Sequence, residues 1–290
     1  MFNGSPAQLR DRPIGVFDSG LGGLTVVREL TEAMPAESIV YLGDTARVPY
    51  GIKSPQTIRR FAMEDLAFLL GFEPKLVVVA CNTASSAAIE PIESACPVGV
   101  VDVIRPSAAA AVAAVAGTDK AIGVIGTEAT VNSGAYQRQI EALDPGREVM
   151  ARPCPLLVPI VEEGRDEDNA IVLHVLCDYL SDLQRLRPGA LILGCTHYPL
   201  LANAIGKLMG PQVRLISSGQ AAAEEVQRRL RSGELAAPAG RAGTVRYYTT
   251  DNPKRFAWLG ERFGRRRIDH VELVGTDELE SRPMRTASQE

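Results

Sequence analysis

The amino-acid sequence predicts an α/β protein made of two similar domains, each a mostly parallel sheet flanked by helices. Two observations lead to this prediction. Short, continuous apolar runs alternate with longer runs of helical length along the 290 residues. Such apolar runs are typical of strands that are buried on both faces of a parallel sheet. In addition, the segment around Cys81 resembles the segment around Cys195, which indicates an internal repeat.

The predicted strands recur at regular intervals, and the stretches between them are long enough for helices, for example residues 57–70 and 169–186. An alternation of strands and helices favours parallel sheets joined by helical connections. The strands are predicted at residues 13–17, 39–42, 76–80, 98–101, 121–125, 148–151, 190–193, 213–216, 244–248 and 268–273.

The internal repeat divides the chain. LVVVAC ends at Cys81 and LILGC ends at Cys195, while IGVF near the start is echoed by IGVI in the second half. Two similar α/β halves related by a pseudo-two-fold axis are the economical interpretation. We assign residues 1–105 plus 217–290 to the first domain, because the last strands are expected to return to it, and residues 106–216 to the second. The two ends, residues 1–12 and 276–290, are predicted to be poorly ordered.

Composition excludes several classes of protein. Apolar residues make up 46% of the chain and the net charge is −4, with no basic stripe that would favour nucleic acid. No run of apolar residues is long enough to span a membrane, and the N-terminal residues lack the apolar core of a signal peptide. The five cysteines have no regular spacing. We therefore expect reduced thiols and a cytoplasmic location.

Two of the cysteines stand in matched positions. Cys81 and Cys195 each follow a predicted buried strand and precede a predicted helix. Ligands bind at the carboxyl ends of parallel strands, and a helix N-terminus stabilises a thiolate. A single cysteine there would most simply be a small buried apolar residue. Two cysteines in matched polar contexts favour a different interpretation, in which the thiols face each other across a cleft. Cys96, Cys154 and Cys177 lack this context.

Polar residues follow both cysteines. Asn82 and Thr83 come after the first, and Thr196 and His197 come after the second. Their amide, hydroxyl and imidazole groups suit a carboxylate or an ammonium ligand, although such residues also cap helices. The three histidines have no spacing typical of metal ligands, and the five lysines have no context that suggests a Schiff base. We therefore expect neither a metal nor an organic cofactor.

A glycine-rich loop, DSGLGG, follows the first strand. It could be a degenerate dinucleotide-binding turn, with Asp44 as the acidic residue after the second strand. Two features argue against this interpretation: Thr25 stands where the third glycine would be, and the Asp18 carboxylate would repel a pyrophosphate. An ammonium group or a proton-transferring thiol suits Asp18 better. Glu162, taken alone, is typical of a solvated helix end.

The chain resembles the bacterial glutamate racemases of the aspartate/glutamate racemase family. The resemblance runs from about residue 13 to 201, more loosely to 273, and its segments keep the family's order and approximate spacing. Those segments are IGVFDSGLGGLTV, YLGDTARVPYG, VVVACNTAS, IGTEATVNSGAY, LVPIVEEG and LGCTHYPLL.

The resemblance implies a cofactor-independent enzyme that interconverts L- and D-glutamate and supplies D-glutamate for peptidoglycan synthesis, usually as a homodimer. Cys81 and Cys195 would act as acid and base on opposite faces of glutamate. Asp18, Glu162 and His197 would support the thiols, with Asp44 behind them, and Thr127 and Thr130 would lie near the substrate. The implied substrate-binding residues are Asp18, Ser19, Tyr50, Gly51, Asn82, Thr83, Thr196 and His197.

Three alternatives stay open at this point. A racemase of the same two-cysteine group could act on aspartate or a hydantoin instead. A noncatalytic binding protein could keep the site for recognition, although the presence of both thiols argues against it. The third alternative is a nucleotide-binding oxidoreductase, an interpretation that only the glycine-rich loop and Asp44 favour.

Overall fold

The chain forms two parallel β-sheets with helices around them. The structure is a computed structural model, and it describes residues 6–283. The first sheet has six strands in the order β10-β9-β2-β1-β3-β4, and the second has four in the order β6-β5-β7-β8. The strands are β1 (Ile14–Asp18), β2 (Ile39–Gly43), β3 (Leu76–Val79), β4 (Gly99–Asp102), β5 (Ile122–Gly126), β6 (Val149–Pro153), β7 (Ala190–Gly194), β8 (Arg214–Ser217), β9 (Val245–Thr249) and β10 (Glu272–Leu273).

Helices connect successive strands, as parallel pairing requires. Single 3-10 turns occupy Thr45–Arg47, Tyr50–Ile52 and Tyr198–Leu201. The α-helices are α1 (Pro6–Asp11), α2 (Leu24–Ala33), α3 (Pro55–Leu70), α4 (Asn82–Ala95), α5 (Ile104–Ala114), α6 (Glu128–Asn132), α7 (Ala135–Leu143), α8 (Leu157–Glu162), α9 (Ala170–Leu186), α10 (Ala202–Met209), α11 (Ser218–Ser232), α12 (Pro253–Gly264) and α13 (Thr276–Ser281). Within residues 6–283, none of these helices combines the length and apolarity needed to cross a bilayer.

The sheet orders reproduce the repeat seen in the sequence. The order β2-β1-β3-β4 in the first sheet corresponds to β6-β5-β7-β8 in the second, so the strands that precede Cys81 and Cys195 hold equivalent positions. Strands β9 and β10 extend the first sheet beyond β2. The predicted fold class is confirmed, whereas the division into domains at residues 105 and 216 stays a prediction.

The central strands are apolar and buried throughout, which explains why they were recognisable in the sequence. An apolar cluster runs from Val16 and Val78 in the first sheet to Leu191 and Leu193 in the second. Helix α11 packs against both α2 and α5, which lie on different sheets. The two sheets therefore share one core beneath the edge where β1, β3, β5 and β7 end.

Two expectations need correction. Nine of the ten strands agree with their predicted bounds to within one or two residues, but the last strand is shorter than predicted and contains only Glu272 and Leu273. The prediction of poor order at the chain ends is wrong for α1 and α13, because Arg10 contacts the Glu234 carbonyl and Leu279 is fully buried. The remaining terminal residues, 1–5 and 284–290, lie outside the described part of the chain.

A buried ion pair fastens several loops together at the amino ends of the strands. The Lys75 ammonium lies 2.5 Å from the Glu37 carboxylate and donates to the carbonyls of Arg10 (2.7 Å) and Leu235 (3.0 Å). Glu37 in turn accepts a hydrogen bond from the Ala237 N–H. The pair thereby connects α1 and the segment after α11 to the start of the first sheet.

Replacing Lys75 with Met should lower the free energy of unfolding by about 3–5 kcal/mol, because Glu37 is left as an unpaired buried charge. Urea denaturation measures this loss. Lys254→Met is the control, since Lys254 is exposed and its removal should change stability by no more than about 0.5 kcal/mol. The double variant Lys75→Met with Glu37→Leu should recover much of the loss. A single Lys75→Met variant as stable as the wild type would contradict this account.

Candidate active site

A cavity of about 350 Å³ lies where strands from both sheets end, and both sheets contribute to its walls. In parallel sheets this edge is the usual place for a ligand. Among the predicted residues that the structure describes, Asp18, Asp44 and Thr130 are buried and do not line the cavity, and Thr127 joins the lining from the second half. The predicted residues that line the cavity are Ser19, Tyr50, Gly51, Cys81, Asn82, Thr83, Thr127, Glu162, Cys195, Thr196 and His197.

Cys81 sits at the N-terminus of α4, as the sequence predicted. Its sulfur accepts a hydrogen bond from the Ala84 N–H at 3.4 Å and donates one to the Ser19 hydroxyl at 3.5 Å. Burial, together with the nearby Asp18 carboxylate, raises the pKa of the thiol to about 12, against a smaller opposing effect of these hydrogen bonds. Cys81 is therefore held as a neutral thiol near pH 7.

Cys195 has a different environment. Its sulfur lies 3.8 Å from His197 Nδ1, and His197 Nε2 lies 2.9 Å from Glu162 Oε1. Burial alone would lower the pKa of His197, but its hydrogen bonds to Cys195 and Glu162 outweigh this and raise it to about 10. His197 is thus a cation near neutral pH, and it lies beside the Cys195 sulfur. The edge of its ring packs against Phe263.

The prediction about Cys195 needs a correction. A helix was predicted to follow each cysteine, and Pro199 to lie in its first turn, but the segment that follows Cys195 is the 3-10 turn Tyr198–Leu201, and α10 begins only at Ala202. Pro199 lies in the first turn of this segment and has no backbone N–H, which is tolerated at that position. The group beside the Cys195 sulfur is therefore the His197 side chain and not the first turn of an α-helix.

Asp18 ends β1 and is completely buried behind the cavity. Its Oδ2 atom accepts a hydrogen bond from the Gly20 N–H at 3.1 Å, whereas Oδ1 has no hydrogen-bond partner among the described residues. Burial raises the pKa of Asp18, against the opposing charge of His197. The side chain thus lies behind Ser19 and Cys81, close enough to influence the thiol electrostatically.

The two residues after Cys81 are bonded to the second half. Asn82 accepts a hydrogen bond of 2.6 Å from the Tyr136 hydroxyl and donates one of 3.4 Å to Ser218. The Thr83 hydroxyl lies 2.9 Å from that of Thr127. These bonds fix the first turn of α4 against elements of the second sheet.

Tyr50 lines the cavity, but its hydroxyl is bound to buried carboxylates. Its hydroxyl donates to the carboxylates of Asp44 and Asp65, the latter at 3.2 Å. Arg47 also binds both carboxylates, at 2.7 Å and 3.1 Å. The backbone that follows is pressed against the second half, because a Cβ atom on Gly51 would lie 2.8 Å from that of Thr127. The loop is thus held in contact with the second half at the cavity wall.

The space beside the glycine-rich loop after β1 is occupied by side chains of the second half. A Cβ atom on Gly22 would lie 2.1 Å from Thr196 Oγ1 and 2.6 Å from the His197 ring. The absent side chain therefore allows the loops of the two halves to touch, and this packing accounts for the glycine without any phosphate. The nucleotide-binding alternative loses its main support.

Several residues around the cavity were not predicted. Asp65, Tyr136 and Ser218 lie within helices and carry no local sequence signal. Glu128 lines the cavity directly after Thr127, at the end of β5, and the internal repeat could have pointed to it. Apolar walls complete the lining, namely Val48, Pro49, Ile52, Pro155, Val158 and Pro159.

Comparison with known proteins identifies the family. The family model described as Asp/Glu/Hydantoin racemase matches residues 14–226. The chain belongs to the Asp/Glu/hydantoin racemase family. It is 46% identical over 252 residues to the glutamate racemase of Geobacter metallireducens, covering 87% of this chain and 92% of that protein.

Solved structures of racemases in this family share the fold. Glutamate racemase from Francisella tularensis in complex with D-glutamate has a TM-score of 0.85 and 40% identity, covering 92% of this chain and 99% of that one. Glutamate racemase from Thermus thermophilus in complex with β-chloro-D-alanine has a TM-score of 0.83 and 44% identity, covering 93% and 99%. The predicted resemblance is confirmed at the level of the family and fold, and the roles of the individual site residues stay predictions.

The Glu162–His197 pair makes a prediction about pH. Replacing Glu162 with Gln should lower the pKa of His197 from about 10, because an acceptor with negative charge is lost. NMR titration of ¹⁵N-labelled histidine measures the shift. In the wild type, the stability due to the His197 cation is fully present below about pH 6.5 and is lost as the pH rises through about 10. In Glu162→Gln that loss should occur at lower pH.

Glu163→Gln is the matched control, because Glu163 is the exposed neighbour that pairs with Arg165 instead. It should leave the His197 titration unchanged. Equal titration of His197 in the wild type and Glu162→Gln would refute the role given to this ion pair.

Proposed function

We propose that the protein is a glutamate racemase that interconverts L- and D-glutamate by proton transfer at the α-carbon between Cys81 and Cys195, without an external cofactor. The observation that supports this most strongly is that two buried thiols, at equivalent positions of the two sheets, line one cavity. The names of the relatives and the D-glutamate in one related structure point to the same substrate.

Racemisation needs a base on one face of the α-carbon and an acid on the other, because a single base tends to return the proton to the face it left. In the L-to-D direction, the Cys195 thiolate beside the His197 cation removes the α-proton. Cys81, held as a neutral thiol, then donates its proton to the opposite face. The sulfur of Cys195 ends as a thiol and that of Cys81 as a thiolate, so the charge of the pair is conserved.

The D-to-L direction starts from the other protonation state, with Cys81 as the thiolate. A charged Asp18 would repel this thiolate, but burial raises the pKa of Asp18 and so favours its neutral form. Protonation of Asp18 would remove that repulsion when Cys81 acts as the base. The two thiols are thus supported in different ways, one by a cation and one by a carboxyl group that can become neutral.

The α-proton of an amino acid is far less acidic than a thiol, so the site must also stabilise the carbanion. Preorganised hydrogen-bond donors contribute most to such stabilisation. The candidates are backbone N–H groups at the start of α4 together with Asn82, Thr83 and Thr196. Asn82 and Thr83 are already fixed by bonds to the second half, so they would need little reorganisation.

The wider roles follow from the same proposal. D-Glutamate is the product that peptidoglycan synthesis would consume, and we propose that the enzyme supplies it there, acting as a homodimer in the cytoplasm. Ser19, Gly51 and Thr196 are proposed to contact the glutamate directly, because each lines the cavity.

Purified protein should racemise either enantiomer of glutamate with nothing added, as measured by chiral chromatography. A chelator and a carbonyl-trapping reagent should leave the rate unchanged, whereas alkylation of the thiols should abolish it. Aspartate and a hydantoin serve as competing substrates in the same assay. Loss of activity on chelation alone, or turnover of aspartate but not glutamate, would contradict the proposal.

Replacing either cysteine with Ala should reduce racemisation by at least about 10²–10⁴-fold, the usual contribution of a general acid or base. In heavy water, the Cys81→Ala variant should still exchange the α-proton of L-glutamate, and Cys195→Ala that of D-glutamate. Mass spectrometry of each enantiomer measures the exchange. Cys177→Ala is the control, since this thiol is exposed and lies outside the cavity lining. Wild-type racemisation by either single variant would refute the two-base mechanism.

A further inference from the structure

Thr25, the residue that replaces the third glycine of the apparent dinucleotide motif, connects the two halves beside the cavity. It lies in the first turn of α2 and is buried. Its hydroxyl oxygen lies 2.9 Å from the Thr196 carbonyl oxygen and 2.9 Å from that of Gly22. One contact stays within the first half, and the other reaches the loop that carries Cys195.

The contact with the second half is the one that depends on the hydroxyl. The Gly22 carbonyl already accepts the backbone N–H of Thr25 at 3.0 Å. The Thr196 carbonyl is buried and receives the Thr25 hydroxyl as its donor. This carbonyl belongs to the peptide that joins Thr196 to His197. Loss of the hydroxyl would therefore leave a buried acceptor without its partner next to His197.

The close packing around Gly22 also connects the two halves, through van der Waals contact and without a hydrogen bond. There is no room for even one carbon atom between Gly22 and the side chains of Thr196 and His197. The first turn of α2 and the glycine-rich loop therefore form one wall against which the Cys195 loop rests. The distance from His197 to Cys195 depends on this wall as well as on Glu162.

We propose that Thr25 is a positioning residue for Cys195: its hydroxyl holds the Thr196–His197 peptide so that the imidazole stays beside the sulfur. This inference rests on the proposed function for its kinetic consequence, because there Cys195 is the base for L-glutamate. Cys81 lies in the same half as Thr25, but its sulfur contacts Ser19 and Ala84. The Thr25 hydroxyl instead contacts the loop that carries Cys195, so its loss should change that thiol and not Cys81.

The test compares Thr25→Val, which removes the hydroxyl at nearly constant volume, with Thr25→Ser, which keeps it. Thr31→Val is the matched control, because the Thr31 hydroxyl bonds to the Arg28 carbonyl at 2.9 Å within the same helix and does not reach the second half. Thermal unfolding shows that each variant is folded. If Thr25→Val does not fold, the comparison of Thr25→Ala with Thr25→Ser takes its place.

The first measurement needs no substrate. Iodoacetamide labels the resting protein, and peptide mass spectrometry gives a rate for each cysteine, with exposed Cys177 as the internal reference. Thr25→Val should slow the labelling of Cys195 at least about threefold, because the thiolate loses its cation. Labelling of Cys81 should not change, and Thr25→Ser and Thr31→Val should match the wild type. Equal labelling of Cys195 in all variants, or a parallel change at both thiols, would overturn the proposal.

The second measurement is kinetic. The kcat/KM of Thr25→Val should fall about 10–100-fold, the cost of a small misplacement of a catalytic group. The isotope effect on kcat/KM should rise with α-deuterated L-glutamate, whose deuteron Cys195 removes, and should not rise with the D-enantiomer. An equal rise of the isotope effect with both enantiomers would mean a general loss of structure and would overturn the proposal. A wild type that does not racemise glutamate would refute the proposed function alone, since the labelling result stands without it.

Discussion

The hydrogen bond from the Tyr136 hydroxyl to the Asn82 amide oxygen spans the two halves at 2.6 Å, one residue away from Cys81. The Thr83–Thr127 contact lies one residue further along α4 and also crosses between the halves. Both bonds are buried or partly buried, where their loss would leave polar groups unsatisfied. They fix how far the end of β3 stands from the second sheet. Since proton transfer depends steeply on the separation of the reacting groups, this spacing governs any chemistry between the thiols.

Similar backbones carry the two thiols, yet their electrostatic surroundings differ. Cys81 lies near a buried carboxyl group, and the pKa of its thiol is raised. Cys195 lies near a histidine whose pKa is raised by its hydrogen bonds to Cys195 itself and to Glu162, against the opposing effect of burial. Equivalent strand positions thus carry the two thiols, and Asp18 on one side and Glu162 with His197 on the other make their surroundings chemically unequal. A pair of groups in opposite protonation states is what a two-base reaction requires, because one must accept a proton while the other donates.

The parts of this fold that were predictable are those dictated by local pattern. Continuous apolar strands with a polar residue at each end are readable because burial on both faces leaves no alternation. The end of such a strand also indicates where ligands bind, which is why the residues around Cys81 and Cys195 were found. The 3-10 turn after His197 could not be predicted, since Pro199 suits the first turn of either kind of helix. Helical partners such as Tyr136 were equally hidden, because tertiary contact alone distinguishes them from ordinary core residues.

The buried cluster around Arg47 is a second feature that could not be predicted from the sequence, because tertiary contacts alone bring its residues together. The sequence placed Tyr50 in the site, but its hydroxyl binds Asp44 and Asp65, and the latter lies in the middle of α3. Arg47 and three carboxylates, the third from Glu64, share this region, and burial, then the charge of Asp44, raises the pKa of Asp65 well above its usual range. The raised pKa of Asp65 favours its neutral form, which would offset part of the excess negative charge. Removing Arg47 would leave that charge uncompensated, so the cluster pins the Tyr50–Ile52 turn to α3. The turn is thereby held against Thr127, and its position at the cavity wall depends on buried contacts far from the wall itself.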